Sequence, residues 1–431
     1  MKILVILLIM SIPNLLLAQI SENPFLQNKF NPDLSIIADF AFNSSDIRDE
    51  SREKLEIPEF LHHHPHSHIS KARGINFNYL ELAFSAPIDV YFDFTGITTL
   101  APGHGIEIEE VYADTRFLPY GFGARTGLFK SGIGRHNSKH IHNWDFYDSP
   151  VIYDAILGSE GISDVGLRLT YTFPLDFFLQ LGGEIFQGNS GEPISFNAKG
   201  FTFLGHEIKD ASVPSLFTGY LKTSFDFGEH IFLLGSSVLY GHSNLSQSGH
   251  THKQNEEISE HKQENAINAP GTIVFGFDLT YKYIIDAHRY LSVESEYLSR
   301  IIDGTIYIAD DNETEEITDD FAIKRKIHKT NSGLYVQALF KFDKRWRTGL
   351  RLDYLIEPHV ELDGQHPEHE HSEERLYKIS YMIDYNFTEF SKIRFQYNYD
   401  HTKYFEERML PIQEFILNLN FAVGAHGAHS F

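Results

Sequence analysis

The chain has 431 residues, 42% of them hydrophobic and 14% aromatic, with no cysteine, a formal charge of −23 and a mean hydropathy of −0.26. That hydropathy is too low for a bundle of membrane helices, and the missing cysteine excludes a disulfide framework, a thiolate metal site and a lipid anchor on an N-terminal cysteine. The acidity argues against a nucleic-acid partner, whose phosphates require a basic surface, and with 24 histidines it suits cations better.

The chain opens Met1-Lys2 and continues in an apolar run from Ile3 to Ala18, broken by Pro13 and Asn14. A membrane-spanning helix needs roughly 20 apolar residues, so this run is too short and too broken to be one. The charged start, apolar middle and small residue before Gln19 predict a secretory signal over residues 1–18. Residues 19–431 then form the exported protein, expected as one barrel with no separate plug domain.

Downstream, alternation of period two dominates. The early strands are weaker. Asn76 to Phe84 changes phase near Leu80, which predicts a bulge. From Ile273 to Tyr283, Gly276, Asp278, Thr280 and Lys282 share the inward face. From Trp346 to Glu357, Trp346, Thr348, Leu350, Leu352, Tyr354 and Ile356 oppose Arg347, Gly349, Arg351, Asp353, Leu355 and Glu357. Tyr377, Ile379, Tyr381, Ile383, Tyr385 and Phe387 face away from Lys378, Ser380, Asp384 and Asn386, and Ile393, Phe395, Tyr397 and Tyr399 from Arg394, Gln396, Asn398 and Asp400. Phe415, Leu417, Leu419, Phe421 and Val423 share one face of the last strand, and Phe431 ends the chain in phase. A terminal aromatic after such a strand resembles the signal read by the barrel-assembly machinery.

Short turns at Phe227–His230, Phe342–Arg345 and Phe387–Phe390 alternate with long polar segments. Short periplasmic turns and long extracellular loops are the outer-membrane pattern, whereas a soluble sandwich or propeller has connections of similar length at both ends. The pattern predicts an all-β, transmembrane antiparallel β-barrel of about sixteen strands, an even number as in bacterial barrels. The strands are expected to start near Leu34, Gly74, Ile88, Ile106, Phe122, Ile162, Asp176, Ser215, Ile231, Thr272, Arg289, Ser332, Trp346, Leu376, Lys392 and Ile412. Outer-membrane lipid and lipopolysaccharide are the expected surroundings, and a homotrimer is a possible assembly.

This strand layout was drawn without reference to histidine, yet it puts 20 of the 24 histidines in the long loops. Candidate metal ligands are His62, His63, His64, His66 and His68 in the first loop, and His136, His140 and His142 in the third. The fifth loop adds His250, His252 and His261, and the seventh His366, Glu368, His369 and His371. Imidazole binds zinc, copper and nickel, and recurrent clustering on one side favours metal capture over chance polarity. No H-E-x-x-H helix or G-x-S-x-G elbow is present, so no enzyme is expected.

The segment from Asn31 to Asp39 resembles a bacterial family labelled zinc-regulated TonB-dependent outer-membrane receptors, itself distantly similar to phosphate-selective porins. Further matches are Ile106 to Tyr112, Gly127 to Arg135, His140, His142 to Phe146, Asp148, Leu157-Gly158, Glu160-Gly161 and the tail Gly424 to Phe431. The Gly127 to Asp148 block is the most specific. The resemblance implies a barrel linked to zinc supply, with Zn²⁺ as ligand or transported ion. About a dozen residues separate the expected cleavage point from the first strand, too few for the plug of a 22-stranded receptor, so TonB coupling is not expected. Phosphate selectivity needs rings of basic residues. Here the inward Arg347, Arg351, Lys378 and Arg394 are expected to be matched by Asp89, Asp93, Glu107, Glu109, Asp353, Asp384 and Asp400. The expectation is therefore a channel for uptake of a divalent metal, zinc above others, or of a metal complex. The alternatives are a general or anion-preferring porin, and a closed barrel that displays metal-binding or adhesive loops.

Overall fold

A computed structural model describes residues 32–52, 54–57, 60, 68–103, 105–189, 195–247, 265–309, 322–365, 375–405 and 408–424. Sixteen antiparallel strands close into one barrel. They are β1 (Asp33–Ser45), β2 (Gly74–Pro87), β3 (Phe92–Ala101), β4 (Gly105–Thr115), β5 (Phe122–Lys130), β6 (Ser163–Thr172), β7 (Phe178–Phe186) and β8 (Leu216–Phe227), followed by β9 (His230–Gln247), β10 (Asn265–Ile284), β11 (Tyr290–Ala309), β12 (Ala322–Lys341), β13 (Trp346–Leu362), β14 (Leu376–Thr388), β15 (Ser391–His401) and β16 (Ile412–Gly424). The ring closes where β1 pairs with β16, from Ser35 opposite Gly424 to Ser45 opposite Glu414. Closure removes every sheet edge, so the ladder satisfies backbone groups that lipid cannot.

The alternation read from the sequence sets which face is which. On β13, Leu350 and Leu352 are 53% and 45% exposed, while Arg351 and Asp353 are buried. Outward Ile379, Tyr381, Phe395, Phe415, Leu417 and Phe421 repeat the pattern, against inward Lys378, Ser380, Arg394, Gln396 and Asn398. Exposed apolar side chains on this scale require a lipid solvent. No helix of the described residues is long and apolar enough to cross a membrane. The three short turns stand where they were expected. The first needs a left-handed residue, supplied by Gly228 (φ 62°) between the paired Phe227 and His230.

Three strand starts differ from expectation, each for a physical reason. Ile88, Val90 and Tyr91 are exposed turn residues, and Asp89 accepts hydrogen bonds from the backbone of Tyr91 and Phe92, which delays β3 to Phe92. β10 begins at Asn265 rather than near Thr272, because its register slips between Asn268 and Ile273 and resumes beyond Pro270-Gly271. β12 begins at Ala322 rather than near Ser332. Its first residues, rich in Lys, Arg and His, carry no alternation but pair fully with β11, from Ala309 opposite Ala322. These extensions pack over a small core of Leu245, Ile267, Ala269, Ile302, Ile306 and Ile327.

The predicted bulge is present. Asp39 faces Tyr79 and Phe40 faces Phe77, so Asn78 is the extra residue. The signal region and Phe431 lie outside the described residues.

The main core lies inside the barrel. The third long loop, residues 131–162, folds inward and carries a short helix, Val151–Ile156. A helix this short is unstable alone. It persists because Val151, Ile152, Tyr153, Ala155 and Ile156 are buried against β11, β12 and β13. Tyr220, Val274, Leu298, Tyr335 and Leu355 of the wall belong to the same cluster. Asp353 also accepts a hydrogen bond from the Val151 backbone at 2.9 Å.

Charge on the lipid face near mid-membrane costs ~2–4 kcal/mol and much less outside it. Denaturant unfolding in lipid vesicles will therefore show Leu350→Arg losing about that amount, while Ile323→Arg on the β12 extension loses ~0–1 kcal/mol.

Candidate metal site

The third loop is pinned to one wall by charge. Asp148 pairs with Arg351 at 3.0 Å and with Lys378, and accepts further hydrogen bonds from Gln396 and Asn398. Asp145 pairs with Arg347 at 2.6 Å. Asp384 holds Arg347 and Arg394, each at 2.7 Å, and Asp353 holds Arg351 at 2.9 Å. The inward bases are thus matched, but only partly by the expected acids. Asp353 and Asp384 serve, together with Asp145 and Asp148 of the loop. Asp89 makes a turn, Asp93 pairs with Arg116, Asp400 bonds Thr402, and Glu107 and Glu109 bind histidines.

The same loop carries His140 and His142 to the β2–β4 wall, a few strands further round the ring. His140 Nδ1 lies 3.1 Å from Glu109 Oε2, and its Nε2 lies 3.3 Å from Glu110 Oε1. His142 Nδ1 is 3.1 Å from Glu81 Oε2, and the two imidazoles stack with centroids 6.0 Å apart. His68, at the end of the first loop, meets Glu107 through Nε2 at 3.0 Å and Glu160 through Nδ1 at 2.8 Å. Glu81 lies midway along β2, and Glu107, Glu109 and Glu110 lie in the first half of β4, which follows β3 after the short connection 102–104 rather than the long second loop expected.

Two adjacent inward glutamates on one strand break alternation, and a bulge explains them. Ile97 faces Glu110 and Thr98 faces Ile108, leaving Glu109 as the extra residue of β4. A bulge re-aims side chains, so Glu109 and Glu110 both reach His140. Thr99 Oγ1 donates to Glu109, fixing that carboxylate.

One ligand atom each from Glu81, Glu109 and His140 falls within 4.8 Å of the others. Ligand atoms around a tetrahedral zinc sit ~3.3 Å apart, given bonds of ~2.0–2.2 Å. A modest contraction therefore satisfies zinc, and the imidazole–carboxylate donor set suits it.

His140 and His68 show how strong the acidic field is. Burial disfavours a charged His140, but the hydrogen bonds its ring donates to Glu109 and Glu110, with the surrounding carboxylates, raise its pKa to about 10. His68 is raised to about 9, with burial opposed mainly by Glu160 and then Glu109 and Glu107. His136 is the reverse case. Burial, with Lys139 and Arg351 close by, holds its pKa well below the usual value.

Of the expected ligands, the structure brings together His68, His140 and His142. His136 is not among them: it packs on Trp144 and Tyr153, with ring centroids 4.9 and 4.8 Å away, and its Nε2 lies 3.3 Å from Ser149 Oγ. His62, His63, His64, His66, His250, His252, His261, His366, Glu368, His369 and His371 lie outside the described residues. Glu81, Glu110 and Glu160 were not foreseen. Strict alternation points Glu110 outward, and only its adjacency to Glu109 hinted at a bulge.

No family model matches the chain. A protein of Aquifex aeolicus (strain VF5), described as uncharacterized, is 37% identical over 413 residues, which is 95% of this chain and 82% of the relative. Among solved structures, a loop-deletion mutant of OmpT, an outer membrane protein of Vibrio cholerae, has a TM-score of 0.50 at 8% identity, covering 92% of this chain and 100% of that one. The outer membrane channel DcaP of Acinetobacter baumannii follows at 0.49 and 11%, covering 92% and 98%. The anion-selective porin from Comamonas acidovorans follows at 0.47 and 9%, covering 91% and 99%. The Vibrio likeness shows the fold, an outer-membrane β-barrel.

Removing one partner from a buried ion pair costs about 3–5 kcal/mol. Asp148→Asn will lower unfolding stability in micelles by about that much and speed hydrogen exchange across residues 131–162. A second prediction concerns pH in metal-free protein. The folded pKa values of His68 and His140 lie above the ordinary 6.5. Their charged rings therefore contribute stability that is complete below pH 6.5 and lost as pH rises through 9 and 10. Protease sensitivity of the third loop, measured in chelator from pH 6 to 10.5, will rise across that window.

Proposed function

This chain belongs to one family with the Aquifex aeolicus protein, and we propose that it is an outer-membrane channel for uptake of divalent metal, zinc above others, rather than an enzyme. The observation that carries the reading is the cluster of His68, His140 and His142 with Glu81, Glu107, Glu109, Glu110 and Glu160 at the long-loop end of the lumen. The five carboxylates outnumber the charged histidines, and an acidic entrance attracts cations and repels anions.

The resemblance to zinc-regulated receptors adds support, because its most specific block, Gly127 to Asp148, builds β5 and the first half of the third loop. In this reading the histidine tracts of the first, fifth and seventh loops raise the local metal concentration, residues 1–18 direct export, and the last strand is read by the assembly machinery.

A general porin is the second reading, favoured by the fold itself. Planar-bilayer recordings separate the two. Under a salt gradient, a cation channel gives a reversal potential of cation sign, and Glu107→Gln, Glu109→Gln and Glu110→Gln together lower cation preference several-fold. Anion preference, or a triple variant with unchanged selectivity, contradicts the reading.

A further inference from the structure

The cluster at the mouth is built from two bodies: Glu81 and Glu109 belong to the barrel wall, and His140 to the loop folded inside it. We propose that a divalent transition-metal ion binds between Glu81, Glu109 and His140 as a resident ion and ties the third loop to the β2–β4 wall. This deepens the channel reading and rests on it only for the idea that metal reaches the mouth.

The geometry is specific. His140 offers Nδ1 beside Glu109 Oε2, and Glu81 closes the triangle within 4.8 Å. His142 touches Glu81 at 3.1 Å and holds that carboxylate toward the loop. Groups that orient a ligand in this way strengthen metal binding. One imidazole with two carboxylates resembles the protein ligands of open zinc sites, which leave a position for water. Calcium takes six to eight oxygens and magnesium a near-octahedral oxygen set, and neither prefers imidazole.

The mechanical consequence follows from the loop's other attachments. Asp145 and Asp148 fix it to the basic residues of β13 and β14. On the β2–β4 side it is held by hydrogen bonds of 3.1–3.3 Å from His140 and His142. A bound ion replaces such contacts with coordinate bonds, so the loop is held more firmly to the β2–β4 wall.

The test uses the full chain, purified in detergent, in a background where the histidines of residues 62–66, 250–261 and 366–371 are alanine. Zn²⁺ titration by calorimetry, with Mg²⁺ as comparison, is paired with hydrogen exchange of residues 131–150. The proposal expects one zinc site per chain, at least tenfold preference over Mg²⁺, and at least tenfold slower exchange on adding Zn²⁺. Glu109→Gln and His140→Ala each weaken binding at least tenfold and abolish the protection, whereas His328→Ala, an exposed histidine on β12, changes neither. Should either site variant fail to fold, Glu81→Gln and the metal preference of the background protein still decide. Absence of zinc binding, binding unaffected by the site variants, or binding without slower exchange overturns the proposal. Cation-selective current from a protein that binds no zinc here overturns this site and keeps the channel. Tight zinc binding without current keeps the site and overturns the channel.

Discussion

The structure depends on the pairing of Asp145 and Asp148 with the basic residues inside one wall of the barrel. Arg351, Lys378 and Arg394 are buried and Arg347 is half-buried, and buried charge is tolerated only when paired. The wall itself supplies Asp353, Asp384 and, opposite Lys378, Asp400, and the third loop adds Asp145 and Asp148. Satisfying those charges holds residues 131–162 in the lumen, and the same placement sets His140 and His142 against glutamates of β2 and β4. The candidate metal site thus depends on how the neighbouring basic wall is neutralised.

Apolar packing reinforces the same placement. The Val151–Ile156 helix follows Asp148 directly and buries five of its six residues. A barrel of this size has more interior than strand side chains alone fill, and here a loop makes up the difference. The third loop gives the lumen a packed apolar core, with Phe129, Ile152, Tyr153 and Tyr335 among its buried residues. Exposed aromatic and aliphatic residues face lipid on the outside, so the chain has its polar network within and its apolar surface without, the inverse of a soluble domain.

Much of the fold was legible because a barrel strand writes its two environments into alternate residues. Leu350 against Arg351, and Phe395 against Arg394, leave little choice of face. Legibility failed where alternation fails: at the Pro270-Gly271 break in β10, along the charged start of β12, and at the turn from Ile88 to Tyr91. The site was half readable. His68, His140 and His142 stood out by residue type, but their partners did not. Glu110 faces inward only because Glu109 is bulged, and Glu81 and Glu160 join through contacts far apart in sequence. His136 looked like its neighbours in the chain, yet its backbone hydrogen-bonds to Glu296 on another wall and its ring is buried among aromatics. Spacing in sequence cannot separate a histidine that lines a site from one that fills a core.

The central claim is that the inward loop and the β2–β4 wall together make one metal site at the mouth of the lumen. Anomalous diffraction at the zinc edge, from crystals of the full chain grown with Zn²⁺, measures this directly. The account predicts a peak bonded to His140 Nδ1 and to carboxylate oxygens of Glu81 and Glu109, at about 2.0–2.2 Å. Zinc peaks confined to other residues, with none between Glu81, Glu109 and His140, would contradict it.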